Sequence, residues 1–122
     1  VKKIMDDENP IIAWGSGNQR RSYMHAYDCA RIMKKIMDID NQNITVNIGT
    51  KETISVSELI SIICKIAGKK PTIIFDIDKP EGRFIKSSET DYLLKIIKEN
   101  LLTIDIHKGI KKMIIWYEKN FN

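Results

Sequence analysis

Ile44-Thr45-Val46-Asn47-Ile48-Gly49, then Ser55-Val56-Ser57-Glu58-Leu59-Ile60-Ser61-Ile62-Ile63-Cys64-Lys65-Ile66-Ala67-Gly68, then Pro71-Thr72-Ile73-Ile74-Phe75 are three runs of contrasting pattern in the middle of the chain. The first run is rich in β-branched residues, alternates, and stops at a glycine, which predicts a strand. The second places Val56, Leu59, Ile60, Ile63 and Ala67 at helical spacing on one face. Its start carries a capping box: the Ser55 hydroxyl can accept from the Glu58 amide while Glu58 reaches back. Gly68 is its stop signal. The third run, after Pro71, is again β-rich. Strand, helix, strand in succession predicts a mixed α/β layer and excludes a helical bundle or a β-sandwich.

Upstream, residues 10–14 form a short apolar strand closed by Gly15-Ser16-Gly17-Asn18, and residues 20–25 alternate as a second strand, so the two read as a hairpin or strand–loop–strand unit. Asp28 opens a helix with Cys29, Ile32, Met33 and Ile36 on one face, its carboxylate favoured at the positive end of the helix dipole. Residues 38–43 read as a loop. Downstream, Asp78-Lys79-Pro80-Glu81-Gly82 marks an exposed loop over residues 76–83, and Ser88 is placed to cap a helix over residues 88–100. Ile106, Ile110, Met113, Ile114 and Tyr117 define the buried face of a last helix, with Lys108, Lys111, Lys112 and Lys119 towards water. The fold class is thus mixed α/β (α+β), with few short strands and four helices, too few strands for a complete doubly wound sheet.

The 122 residues make one domain, 1–122, large enough to bury a core without disulfides or metal. A formal charge of +4 suits an anionic ligand without identifying a nucleic-acid binder. Cys29 and Cys64 sit among apolar neighbours and read as small hydrophobes. No apolar run is long enough for a membrane span, and acidic residues occupy the place of a signal peptide's apolar core, so the chain is expected to be cytoplasmic. It begins at Val1, and its first eight residues read as the tail of a helix already begun. A piece of a longer chain is therefore expected.

Chemistry-bearing motifs are sparse. The Gly15-x-Gly17 pair lacks the spacing and the following helix of a dinucleotide-binding turn. Tyr92 and Lys95 are too close for a Tyr-x-x-x-Lys pair, so no catalytic residue is assigned. His25 and His107 have no ligand company, and no metal site is expected. His25 reads as a packed strand residue, and His107 as part of the last helix's first turn. Arg21, after a Gly-Ser-Gly loop at a strand start, suits a diphosphate because a guanidinium grips phosphate oxygens in a planar fork. Trp14 offers an apolar face to a base or sugar and one N–H donor.

Three segments resemble one family in order and spacing. Trp14-Gly15-Ser16-Gly17 with Arg21-Ser22-Tyr23-Met24-His25-Ala26-Tyr27-Asp28 is similar to the W-G-S-G…R-x-F-L-H-V-x-D signature of extended short-chain dehydrogenase/reductases acting on nucleotide sugars, the NAD-dependent epimerase/dehydratase family. Val46-Asn47-Ile48-Gly49 with Ile54-Ser55-Val56-Ser57-Glu58-Leu59 resembles their N-x-G-x-G…T-I-x-E-L segment. Phe75-Asp76-Ile77-Asp78-Lys79-Pro80-Glu81-Gly82 with Lys86 resembles a stretch of the GDP-L-fucose synthase branch, as does the close from Gly109 to Asn120.

The resemblance implies the C-terminal, substrate-binding part of an NAD(P)-dependent nucleotide-sugar epimerase, dehydratase or reductase, with the Rossmann half absent. The cofactor, NAD or NADP, would be held by that absent half and none by these residues. By resemblance the parent would epimerise and reduce a 4-keto-6-deoxy nucleotide sugar, this piece alone being inactive, and would be a cytoplasmic homodimer. The implied substrate-binding residues are Trp14, Arg21, Glu81 and Lys86, the latter two in a loop that reaches the substrate. A carboxylate accepts from sugar hydroxyls and a lysine is a point charge for phosphate. The pattern departs at Glu81 and Glu89, where the family has aspartate, at Ile85, where an arginine usually precedes the lysine, and at Ala26. Arg83 is available to supply the missing guanidinium. Another nucleotide-sugar epimerase or dehydratase, a non-catalytic module for a phosphorylated ligand or protein partner, and a weak nucleic-acid binder are the competing readings.

Overall fold

The structure, a computed structural model, describes residues 1–39 and 43–121. In chain order the elements are α1 (Lys2–Met5), β1 (Ile11–Trp14), β2 (Arg20–Arg21), α2 (Ala26–Asp38), β3 (Ile54–Ser55), α3 (Val56–Ala67), β4 (Ile73–Asp76), β5 (Ile85–Lys86), α4 (Asp91–Ile97) and α5 (Ile106–Phe121). The mixed α/β class holds. Among the described residues there are five helices where four were expected, the extra one being the single turn α1 at the start of the chain.

The strands pair differently from a hairpin. β1 runs parallel to β4, with Ile11 opposite Ile73 and Trp14 opposite Asp76. β2 lies in a second sheet, antiparallel to β3 (Arg21 opposite Ile54) and parallel to β5 (Arg21 opposite Lys86). The chain leaves one sheet and enters the other through residues 15–19. Gly15 and Gly17 both have positive φ there, +79° and +78°, where a side chain is strained. A Cβ on Gly17 would also lie 2.3 Å from the Phe75 ring of β4, so the turn is wedged against the parallel partner.

α3 follows its sequence closely. The capping box is present in both directions, the Glu58 amide donating to Ser55 Oγ at 3.0 Å and the Ser55 amide to Glu58 Oε2 at 2.7 Å. Gly68 closes the helix in the left-handed region at φ +68°. α2 starts at Ala26, before Asp28, because His25 is its N-cap, the ring Nδ1 accepting from the Tyr27 amide at 3.1 Å. His25 is thus a capping residue stacked on Tyr27. α4 is shorter than residues 88–100: it begins after Thr90 and ends at Lys98, whose φ of +56° turns the chain away.

Residues 44–48 form no strand. Their alternation survives, Ile44, Val46 and Ile48 being half-buried and Thr45 and Asn47 exposed, but no strand among the described residues pairs with them. Val46 and Ile48 instead pack on a cluster of Ile32, Leu93 and Ile97. Part of the loop expected at residues 38–43 lies outside the described residues. A larger cluster gathers Ile4, Met5, Ile11, Ile63, Ile110, Ile114 and Tyr117. Met113, expected on the buried face of α5, is half-exposed.

Asp28 joins α2 to the segment entering α5. Its side chain is 1% exposed. It accepts from the amides of Thr103 and Ile104, both at 2.9 Å, and from Arg31 at 2.7 Å. Burial pushes its carboxyl up, but these donors outweigh that and hold it below the ordinary aspartate value.

Candidate functional site

β1 delivers Trp14 to the rim of the molecule, where the indole is 62% exposed. The four backbone steps after it are fixed by partners from three other segments. The Gly15 amide donates to the Asp76 carbonyl at 2.8 Å, the Ser57 amide donates to the Gly17 carbonyl at 2.9 Å, and buried Gln19 donates through Nε2 to the Trp14 carbonyl at 3.1 Å. The Ser16 amide donates to Glu81 Oε2 at 2.7 Å. That bond, with a smaller contribution from Arg21, holds the Glu81 carboxyl below the ordinary glutamate value.

The two adjacent arginines of β2 diverge, as neighbouring strand residues must. Arg20 turns to the start of α3, donating to Thr53 and to Glu58. Arg21 turns to the loop before β5, where Nη1 donates to the Arg83 carbonyl at 2.8 Å and to the Arg20 carbonyl at 2.7 Å, and Nη2 to the Glu81 carbonyl at 3.1 Å. These bonds leave its Nε–H and one Nη2–H without an acceptor among the described residues. Lys86 stands beside it across the parallel β2–β5 register and is exposed.

The segments that carry Trp14, Arg21, Glu81 and Lys86 are joined one to the next. Trp14 precedes Gly15, Gly15 abuts Glu81, the Glu81 carbonyl meets Arg21, and Arg21 pairs in register with Lys86. Among the described residues, Lys79, Arg83 and Lys86 make no ion pair with a carboxylate. An exposed aromatic plane and cations without a carboxylate partner thus lie on joined segments. Arg21 also lines a cleft of about 380 Å³ together with Tyr23, Thr50, Glu52, Thr103 and Asp105.

Sequence reading missed Gln19, Phe75 and the Asp76 carbonyl, which brace the residue 14–17 turn. Their role depends on pairing between distant strands and leaves no local signal. The Gly-Ser-Gly turn does not fit a dinucleotide pyrophosphate: the amides of Gly15 and Ser16 already donate within the protein, and the turn leads to a strand, so it presents no helix N-terminus. Tyr92 and Lys95 lie exposed on α4. Among the described residues no three His, Cys, Asp or Glu side chains are grouped to hold a metal, and no helix is long and apolar enough to cross a membrane.

Residues 1–49 match the family model described as "NAD dependent epimerase/dehydratase family". A GDP-L-fucose synthase of Sinorhizobium fredii is 36% identical over 78 residues, 62% of this chain and 25% of that protein. A putative UDP-glucose 4-epimerase of Methanocaldococcus jannaschii is 34% identical over an alignment of 125 residues, covering 98% of this chain and 38% of the relative. Among solved structures, a GDP-L-fucose synthetase from Naegleria fowleri superposes with a TM-score of 0.87 at 20% identity, over 98% of this chain and 37% of that one, and supports the fold. The chain belongs to the NAD dependent epimerase/dehydratase family. It spans well under half the length of these relatives.

Proposed function

We propose that this chain provides the nucleotide-sugar-binding surface of a family member resembling GDP-L-fucose synthase, whose reaction would be epimerisation and reduction of a 4-keto-6-deoxy nucleotide sugar. The observation that carries the reading is the series of contacts that joins the segments bearing Trp14, Arg21, Glu81 and Lys86. Trp14 supplies a plane for the base or sugar. Arg21 offers its remaining Nε–H and Nη2–H edge to two diphosphate oxygens, and Lys86 adds a mobile charge beside it. The bonds from Arg21 to the carbonyls of residues 20, 81 and 83 hold that edge in place before any ligand arrives.

The cofactor, NAD or NADP, is held outside these residues in this reading, since the Gly-Ser-Gly turn presents no pyrophosphate cradle. No residue here is assigned to proton or hydride transfer. A UDP-sugar epimerase is the second reading, favoured by the 34% identity that extends over nearly the whole chain to a putative UDP-glucose 4-epimerase. Calorimetric titration with GDP and with UDP tests both. Saturable binding that is weakened in Arg21→Ala and Lys86→Ala supports the site, the tighter nucleotide chooses the branch, and unchanged binding in both variants removes the site.

A further inference from the structure

Glu81 has the chemistry of a ligand-binding carboxylate, yet its geometry gives it another task. One carboxylate oxygen is already engaged by the Ser16 amide at 2.7 Å, a bond made across 65 residues of sequence. The other backbone bonds that brace the residue 14–17 turn come from main-chain groups or from neighbouring Gln19. The Ser16 amide is the one held by a side chain from the loop before β5. Gly15 makes this approach possible: a Cβ there would lie 2.3 Å from Glu81 Cβ and 2.8 Å from its Oε2. The backbone of Glu81 is meanwhile fixed by Arg21. Glu81 thus links the turn bearing Trp14 to the loop anchored by Arg21, which are the two sides of the proposed site.

We infer that Glu81 is a positioning residue, whose carboxylate locks the Ser16 amide through Oε2 and so sets the turn that bears Trp14 against the loop anchored by Arg21. The inference rests on the binding reading above and deepens it. A charged acceptor makes a stronger bond to a backbone N–H than water does once the group is partly withdrawn from solvent. Without that bond the turn loses its tie to the loop before β5, while its bonds to Asp76, Ser57 and Gln19 remain. The ligand must then meet the cost of ordering it.

The test separates the lock from the binding. Amide exchange at Ser16 is read by NMR in the ligand-free 122-residue chain, and affinity for GDP and UDP is measured on the same samples. Wild type is expected to protect the Ser16 amide. Glu81→Ala is expected to lose that protection and to bind the preferred nucleotide about tenfold more weakly. Glu81→Gln keeps an acceptor oxygen and is expected to restore most of both, and it serves as the readable variant if the alanine form does not fold. Two results overturn the inference: affinity lost in Glu81→Ala with Ser16 still protected, which makes Glu81 a direct contact, or protection lost with affinity unchanged. A wild-type chain that protects Ser16 but binds neither nucleotide overturns the binding reading, and the positioning role with it, while leaving the lock itself observed.

Discussion

Asp28 concentrates the largest single-residue consequence in the fold. Its carboxylate is buried and meets two backbone amides and a hydroxyl from residues 103 and 104, far away in sequence, and the guanidinium of Arg31 in its own helix. Asp28→Ala leaves the Thr103 and Ile104 amides without their acceptor and is expected to cost about 3 kcal/mol, measured as a lower urea midpoint at unchanged slope. Because the folded-state pKa is depressed, this stabilisation is complete above the unfolded-state value and is lost as pH falls through the lower folded-state value. Wild type should therefore lose stability below about pH 4, and a series of urea melts from pH 6 downwards should show a shallower acid loss in Asp28→Ala. Equal slopes in the two proteins would remove Asp28 as the cause. Sequence reading assigned Asp28 to the helix dipole, which is right for its element and incomplete for its role. Nothing near residue 28 announces that residues 103 and 104 will donate to it.

Among the elements, α3 was legible because each of its signals is local. The cap and the glycine stop are found, and Leu59, Ile60, Ile63 and Ala67 of the expected face pack in the core, joined by Ile62, Cys64 and Ile66 from outside it. Ser55→Ala is expected to cost about 1 kcal/mol through loss of the cap. Gly68→Ala is expected to cost about 1 kcal/mol through φ alone, since no atom lies near an added Cβ there. Gly17→Ala should cost more than Gly68→Ala, because Phe75 already occupies the space. Thermal melts of the three variants check the order, and a Gly17→Ala melt equal to that of Gly68→Ala would contradict the packing of the turn on β4. The strands were legible as runs but not as partners. Residues 10–14 and 20–25 look like a hairpin by proximity, yet β1 finds β4 and β2 finds β3 and β5. Residues 44–48 carry a strand's alternation because Val46 and Ile48 pack on the Ile32–Leu93–Ile97 cluster, and burial alone produces that pattern without a ladder.

At the scale of the molecule, the two sheets meet at the residue 14–19 turn, and the proposed site lies along that junction. Trp14 and Arg21 were nameable from residue type and setting, while Glu81 and Lys86 were nameable only through resemblance, since a loop carboxylate and one lysine have no signature of their own. The joining of their segments depends on the parallel β2–β5 pairing, which places Arg21 beside Lys86, and on the contact of Gly15 with Glu81. Charge without geometry should not be enough here. Arg21→Lys keeps the cation but loses both the planar edge and the grip on the residue 81–83 carbonyls, and is expected to weaken nucleotide binding about tenfold. Affinity equal to wild type in Arg21→Lys would reduce the site to simple charge attraction.

The most direct measurement is a two-dimensional NMR titration of the isotope-labelled chain with GDP and UDP. Saturable shifts are expected at the Trp14 indole N–H, the Arg21 Nε–H and the amides of residues 14–17 and 81–86, with one nucleotide preferred. Shifts confined to the lysines of α5, or none at these positions as the nucleotide is raised to saturation elsewhere, would contradict it.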